Sequence, residues 1–453
     1  MSVHGTERRL NQRPRVAFEA RWRSRVRDVC VELPSRSRRT ISEHRRRRRL
    51  IDRKVSDQSR QGLDWTNFFL ADVQMGFGAF LAFYLAEFDW SVQSVGLALS
   101  IGGLAGVVAQ IPGGAIADAV RWKRALAALG ILMIVVSAII LALRPSFPFV
   151  VTAEILHGAT AGIVGPAIAA ISLGLAGRRG MSCRVGRNFR FAAAGNALTA
   201  ALTGTLGVYL SKSAIFFTAA ALCIPTLIAL SRIRPDEIDY ARARNATKRD
   251  HSLDFQRVAD LTRNRNLLIF AGGLMLFHFS NASLLPLVGE NLGHSKLALS
   301  SLFMAGLIIV PQVVVAVLAP WIGYWSELWG RKPLLLLGFA VEAVRALLFA
   351  LVADPILMTV VQMLDGITGA IVTVLTILVI TDLTTGTGRF NLAQGAVGTL
   401  IGISAALSTS VWGLVAQHFG IGVTFPAMAT VTAAGMALLW AFLPETKPAQ
   451  YDD

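Results

Sequence analysis

The sequence predicts an all-α membrane protein: twelve transmembrane helices in two six-helix, pseudo-symmetric halves. Three observations carry that expectation: an apolar composition, a series of segments long enough to span a bilayer, and an internal repeat. Hydrophobic residues make up 54% of the 453 positions and charged residues 16%, and the mean hydropathy is +0.54. Soluble domains carry about 25% charged residues, so a soluble chain of this balance could not cover its own core. Twelve helices of ~20 residues need about 240 positions, which leaves room for loops and a tail.

The chain opens with a charged segment. Residues 1–60 hold 19 basic and 7 acidic side chains, with Arg45 to Arg49 in one run. Residues 1–61 therefore read as a basic, disordered cytoplasmic tail. No apolar h-region or small-residue cleavage site follows the charges, which excludes a secretory signal. A basic patch of this kind suits nucleic acid or anionic lipid. A solvated tail is the simpler reading, Val55 is a candidate alternative start, and no nucleic-acid partner is expected.

Apolar segments follow at 65–87, 93–117, 123–143, 148–176, 189–210 and 213–231, then at 267–288, 297–325, 333–352, 355–381, 391–416 and 421–443. They define an N-terminal half (62–231), a polar cytoplasmic central loop (232–265), a C-terminal half (266–443) and a C-tail (444–453). Lys and Arg set the orientation. With the N-terminus inside and the tail left out, 21 basic residues fall on the cytoplasmic side and three, Arg144, Lys212 and Lys296, outside. Both termini are expected in the cytoplasm, in a cytoplasmic (inner) membrane crossed many times.

The two halves repeat each other. Gly114 and Asp118 after the second span match Gly323 and Glu327 after the eighth, the carboxylates 209 residues apart. Glu154-Ile-Leu-His157-Gly158 in the fourth span matches Gln362-Met-Leu-Asp365-Gly366 in the tenth. Gly186-Arg187-Asn188 and Gly388-Arg389-Phe390-Asn391 lead into the fifth and eleventh spans. Three landmarks in the same order make two copies of one six-helix unit.

The second loop resembles the G-x-L-A-D-R-x-G-R-R/K motif of the major facilitator superfamily, through Gly323, Glu327, Gly330, Arg331 and Lys332. The first copy keeps Gly114, Asp118 and Lys123 and departs at Ala119, Arg121 and Trp122. The resemblance covers about residues 62–445 and implies a transporter in which helices 1, 4, 7 and 10 line the cavity. It also implies that Asp118 and Glu327 face helices 11 and 5 of the opposite half. A carboxylate beside a helix N-terminus is stabilised, and Asn188 and Asn391 are candidate N-caps of those two helices. These ten residues, Gly114, Asp118, Lys123, Asn188, Gly323, Glu327, Gly330, Arg331, Lys332 and Asn391, are the expected cytoplasmic gate. Drug-efflux members carry Arg in the fourth span where this chain has Glu154, and their Gly-Pro-rich antiporter motif is absent from the fifth.

Ionisable groups inside a bilayer cost several kcal/mol, so each is a functional candidate. His157 and Asp365 lie roughly 15 Å into their spans, near the midplane. Glu154 shares a face with His157 one turn away; Asp72 lies in the first span, and His278 and Asn281 share a face of the seventh. These six are the expected substrate or proton pathway. Glu342 and Arg345, three apart on the ninth span, read as a structural ion pair. Cys30, Cys183 and Cys223 form no metal-ligand pattern, and neither a cofactor nor a metal is expected. No phosphate-binding G-x-x-x-x-G-K-[ST] occurs, so an ATP-driven pump is not supported.

Function follows as an expectation: a monomeric, proton-coupled secondary transporter that exports a small organic solute, drug or metabolite by alternating access, and not an enzyme. Proton-coupled uptake of a metabolite is the second reading. A transporter-like sensor or scaffold is the third, with the lipid bilayer as partner in every case.

Overall fold

The computed structural model describes residues 55–75, 90–143, 146–209, 212–246, 261–288 and 300–449, together with residues 81, 84, 85 and 88. The expected tail therefore lies outside the described residues up to Lys54.

Helix α1 (Asp57–Met75) starts eight residues before the predicted span. The Ser56 hydroxyl accepts from Ser59 N at 3.2 Å and caps the helix, a polar start that a hydropathy reading passes over. Helix α2 (Val92–Ala119) is capped by Ser91, and α3 (Lys123–Leu143) follows after one tight connection. The next element, Phe147–Tyr209, is unbroken except at Gly177, whose φ of 66° is non-helical. Gly177 divides it into α4 (147–176) and α5 (178–209), because only glycine takes that backbone region without strain. Helix α6 (Lys212–Ser231) closes the first set.

The connecting segment holds a 3-10 turn (Pro235–Glu237) and a one-turn helix (Tyr240–Ala243) capped by Asp239. The second set is α7 (Arg265–Asn281), α8 (Ser300–Leu328), α9 (Arg331–Leu351), α10 (Pro355–Leu383), α11 (Phe390–Phe419) and α12 (Ile421–Phe442). Among the described residues nine helices are long and apolar enough to cross a membrane, and Phe147–Leu202 counts as one of them.

Large apolar side chains cover the outside of these helices. Leu104, Val108, Leu351, Ile356 and Trp440 are all more than half exposed, which is stable against lipid and not against water. Inside, the helices meet through small residues. Gly106 of α2 faces Gly158 of α4, so that an added Cβ would sit 3.3 Å from the Gly158 carbonyl, and Gly113 faces Gly162 one stretch further along. This is the close backbone approach that drives helix association where lipid replaces water. The second set repeats it: Gly366 of α10 packs on Pro311 and Val314 of α8.

One apolar core fills the first six helices, around Ile131, Ile134, Ile171 and Phe216. A second fills α7 to α12 and also takes in Ala169, Leu173, Met181 and Val185 from α4 and α5. The two sets are thus joined at the end of the bundle that carries the α2–α3, α8–α9 and α10–α11 connections. That end is called here the basic end, after Arg121, Lys123, Arg331, Lys332 and Arg389.

Candidate functional site

At the basic end α2 crosses α11 and α5 crosses α8. Both crossings rely on glycine. A Cβ on Gly114 would collide with the Asn391 carbonyl, and one on Gly323 would collide with the Ser182 carbonyl. The buried Asp118 carboxylate lies over the start of α11. Its Oδ1 accepts from Asn391 N at 3.2 Å and Asn391 Nδ2 at 2.8 Å, and its Oδ2 accepts from Leu392 N at 2.8 Å. Asp118 therefore caps a helix of the opposite set, satisfying N–H groups that have no partner within α11. Lys123 is buried too, and its Nζ donates to the Ala117 carbonyl at the end of α2.

Glu327 occupies the matching place in the second set. It accepts from Ser182 Oγ on α5 and pairs with Arg331 Nη2 at 2.9 Å. Arg331 also donates from Nε to Asp382 Oδ2 at 3.0 Å and from Nη1 to Ser326 Oγ at 2.8 Å. Gly330, with φ 95°, makes the sharp turn into α9. The Glu445 carboxylate then caps that helix, accepting from Arg331 N at 2.8 Å and Lys332 N at 3.1 Å.

Neither asparagine is an N-cap. Asn188 lies well inside α5, because the helix begins directly after Gly177 and not after Gly186. Its side chain donates to Ser172 Oγ at 2.8 Å and accepts from Arg184 Nε at 2.8 Å. Asn391 is the second residue of α11, whose cap is Arg389. Its Nδ2 donates across the interface instead, to Asp118 and to the Ala243 carbonyl at 3.1 Å.

Two partners of this end were missed by the sequence reading. Asp64 of α1 is buried against Arg184 and Arg187 of α5, with Arg187 Nη2 at 2.6 Å. The connecting segment is the other. Tyr240 Oη donates to the Ala119 carbonyl at 2.8 Å, and its ring lies 5.5, 5.0 and 5.5 Å from the cationic groups of Arg121, Lys123 and Arg244. Asn245, at φ 58°, donates from Nδ2 to the Thr381 carbonyl at 2.6 Å, and its own carbonyl accepts from Gly388 N at 3.4 Å. The segment thus straps the α2–α3 connection to the α10–α11 connection. A polar run of Tyr, Arg and Asn gave no periodic signal by which to place it.

Deeper in the bundle the expected pathway residues separate into two groups. On α4, Glu154 is buried over Gly102 of α2. Its Oε1 has no hydrogen-bond partner among the described residues. His157 lies one turn further on the same helix. On the other side, Asp365 of α10 is drawn into a cluster. Arg345 Nη1 of α9 bonds its Oδ1, Asn281 Nδ2 of α7 lies at 3.4 Å, and Gln362 Nε2 lies at 3.4 Å from Oδ2. Arg345 Nη2 also reaches Glu342 Oε1 at 3.1 Å. Arg345 is therefore shared by two carboxylates, beyond the simple pair with Glu342. Asp365 is 30% exposed while Arg345 and Glu342 are 1% and 0%, so Asp365 is the most accessible member of the cluster. His278 stacks edge-on against Phe277 at 5.2 Å. Asp72 lies on α1, with its side chain outside the described residues.

The hydrogen bonds between the two sets run from the basic end, through Asp118–Asn391 and Ser182–Glu327, to Thr399 Oγ1–Val107 O at 3.2 Å and Asn196 Nδ2–Gln312 Oε1 at 3.3 Å near the middle of their helices. The structure is closed at that end.

This fold is that of a membrane transporter built from two halves. Residues 65–315 and 307–452 match the Major Facilitator Superfamily. An uncharacterized MFS-type transporter found in two strains of Mycobacterium tuberculosis is 37% identical over 390 residues, covering 85% of this chain and 93% of the relative. The chain belongs to the major facilitator superfamily. Among solved structures, the human organic anion transporter TETRAN superposes with a TM-score of 0.66 at 15% identity, over 85% of this chain and 100% of that one. The nucleoside transporter NupG gives 0.60 at 16% identity, over 85% and 99%. The proton:xylose symporter XylE gives 0.59 at 17% identity, over 86% and 95%. Transporters of this superfamily sit in the bilayer and bind small-molecule substrates.

Proposed function

We propose that the chain is a proton-coupled secondary transporter that exports a small organic solute by alternating access, as a monomer in the cytoplasmic membrane with both termini and the basic end in the cytoplasm. The observation that carries the coupling is Arg345, one guanidinium held between Glu342 and Asp365. Two acids and one base in a poorly hydrated site leave one negative charge without a partner. A proton on Asp365 cancels it and releases the Arg345 contact; loss of the proton restores it. A switch of this kind links protonation to the packing of α9 against α10. Glu154, buried on the other side of the cavity with an unpartnered oxygen, is the second proton-carrying group, and His157, His278, Asn281 and Asp72 complete the pathway. The Asp118 and Glu327 contacts favour the state closed to the cytoplasm, so they bias one half of the cycle.

The experiment is transport in proteoliposomes with an imposed pH gradient and a broad solute panel. Gradient-driven accumulation should be lost in Asp365→Asn and in Glu154→Gln, while exchange of labelled for unlabelled solute persists. Unchanged pH-driven transport in both variants would remove the coupling assignment. The sign of the gradient that drives accumulation separates export from uptake.

A further inference from the structure

We propose that the groove where α7, α9 and α12 end at the basic end holds the headgroup of an anionic phospholipid. The groove is lined by Arg265 and Asn266 of α7, Lys332 of α9 and the apolar run 441–444 at the end of α12, and has a volume of about 430 Å³. Two cations come from different helices and no carboxylate is among the lining residues. Arg265 makes no hydrogen bond to another described side chain. Lys332 Nζ uses one of its three donors on the Trp440 carbonyl at 2.7 Å, which fixes the ammonium at the rim and leaves the other two. The acid next in the chain, Glu445, is engaged with the backbone N–H groups of Arg331 and Lys332 at 2.8 and 3.1 Å. It bonds those backbone groups and neither of the two side-chain cations.

The surroundings select a lipid over a soluble anion. The groove lies where three apolar helices end, at the depth of the headgroups. Leu268, Trp440 and Phe442 are exposed beside it at 48, 69 and 54%, a wall along which acyl chains run. A soluble phosphate would meet the cations and leave that wall bare. A zwitterionic lipid would meet the wall and gain little from two cations. A phosphodiester with net negative charge uses both. The basic end carries most of the loop cations, which favours the same leaflet chemistry. The inference is independent of cargo, direction and proton coupling.

The test uses the full chain reconstituted in phosphatidylcholine with phosphatidylglycerol, extracted mildly, and examined by native mass spectrometry for retained lipid. The parent should retain phosphatidylglycerol in preference to phosphatidylcholine. R265Q/K332Q should lower that ratio by about fivefold for each cation, the equivalent of ~1 kcal/mol near an anionic surface. R265Q alone, at an exposed position, should give about one such factor with an unchanged melting temperature in phosphatidylcholine. R265K/K332R should keep the ratio, and glycerol phosphate should not displace the lipid. R178Q/R232Q, which removes the same charge elsewhere at this end, should leave it in place. An unchanged ratio in R265Q/K332Q, an equal loss in R178Q/R232Q, or displacement by glycerol phosphate would each overturn the proposal.

Discussion

The Asp118 carboxylate caps the helix that carries Asn391, although the two residues are 273 apart in the chain. Three hydrogen bonds, two from backbone N–H groups and one from the Asn391 amide, tie the end of α2 to the start of α11. The contact spans the closed basic end, so opening that end would break it. Replacing Asp118 with Ala should cost that state ~0.3–2 kcal/mol. At ~1.4 kcal/mol per tenfold, the closed-to-open ratio falls by up to roughly 30-fold. Single cysteines in the inner half of α4 and α10, in a background lacking Cys30, Cys183 and Cys223, should label faster, and turnover should fall more than cargo affinity. Equal labelling with normal turnover would make the loops orientation signals only.

Arg345 lies at 1% exposure between two carboxylates. Arg345→Met should destabilise the detergent-solubilised protein by about 3–5 kcal/mol, because buried acids lose their counter-charge. The triple change Arg345→Met, Glu342→Gln, Asp365→Asn should recover most of that loss while remaining inactive in gradient-driven transport. Melting temperatures of the single and triple variants read this directly. A single variant as stable as the parent would mean that the cluster is not held as an ion pair.

The strap gives a graded prediction. Asn245→Gly keeps the left-handed backbone (φ 58°) and removes only the side-chain amide bonds, to the Thr381 carbonyl and to Thr384 Oγ1 at 3.3 Å, a loss of about 0.5–1.5 kcal/mol for each. Asn245→Val removes the bonds and also strains the backbone. The order parent, Gly, Val should therefore be the order of rising cysteine reactivity inside the basic end. If Gly and Val label alike and as slowly as the parent, the strap does not hold the closed state.

Acid stability has one identifiable contributor outside the membrane. Burial raises the Glu237 pKa, but hydrogen bonds from Ser59 and Ser56, with Arg234 beside it, outweigh burial and hold the carboxyl below its ordinary value. A depressed folded-state value means that its stabilisation is present above the unfolded pKa and is lost as pH falls toward the folded one. Glu237→Gln should lower stability at neutral pH and flatten the profile in that acid window, so that parent and variant converge as pH falls, as a pH series of thermal melts would register. A profile unchanged by the substitution would show that Glu237 adds no pH dependence.

The bilayer made much of this fold legible. Apolar runs marked the helices because lipid demands them, and the Gly114/Gly323 and Asp118/Glu327 repeats fixed the order of the two sets. What escaped had physical reasons. Ser56 starts α1 through a cap, not through hydropathy. Gly177 begins α5 earlier than the Gly-Arg-Asn landmark suggested, which moves Asn188 into the helix. Arg345 looked complete with Glu342 because a partner on the neighbouring helix is invisible to spacing within one helix. The strap around Tyr240 and Asn245 is polar, irregular and held by backbone groups, so no residue pattern announced it.

The strap has a further consequence. It is covalently continuous with α6 on one side and reaches the α10–α11 connection on the other, so it behaves as a ligand that never leaves. Tethered ligands act at effective concentrations in the millimolar range or above. Closure at the basic end is then a first-order event whose rate does not depend on protein concentration, and a free peptide carrying residues 238–246 would have to reach comparable concentrations to compete with it.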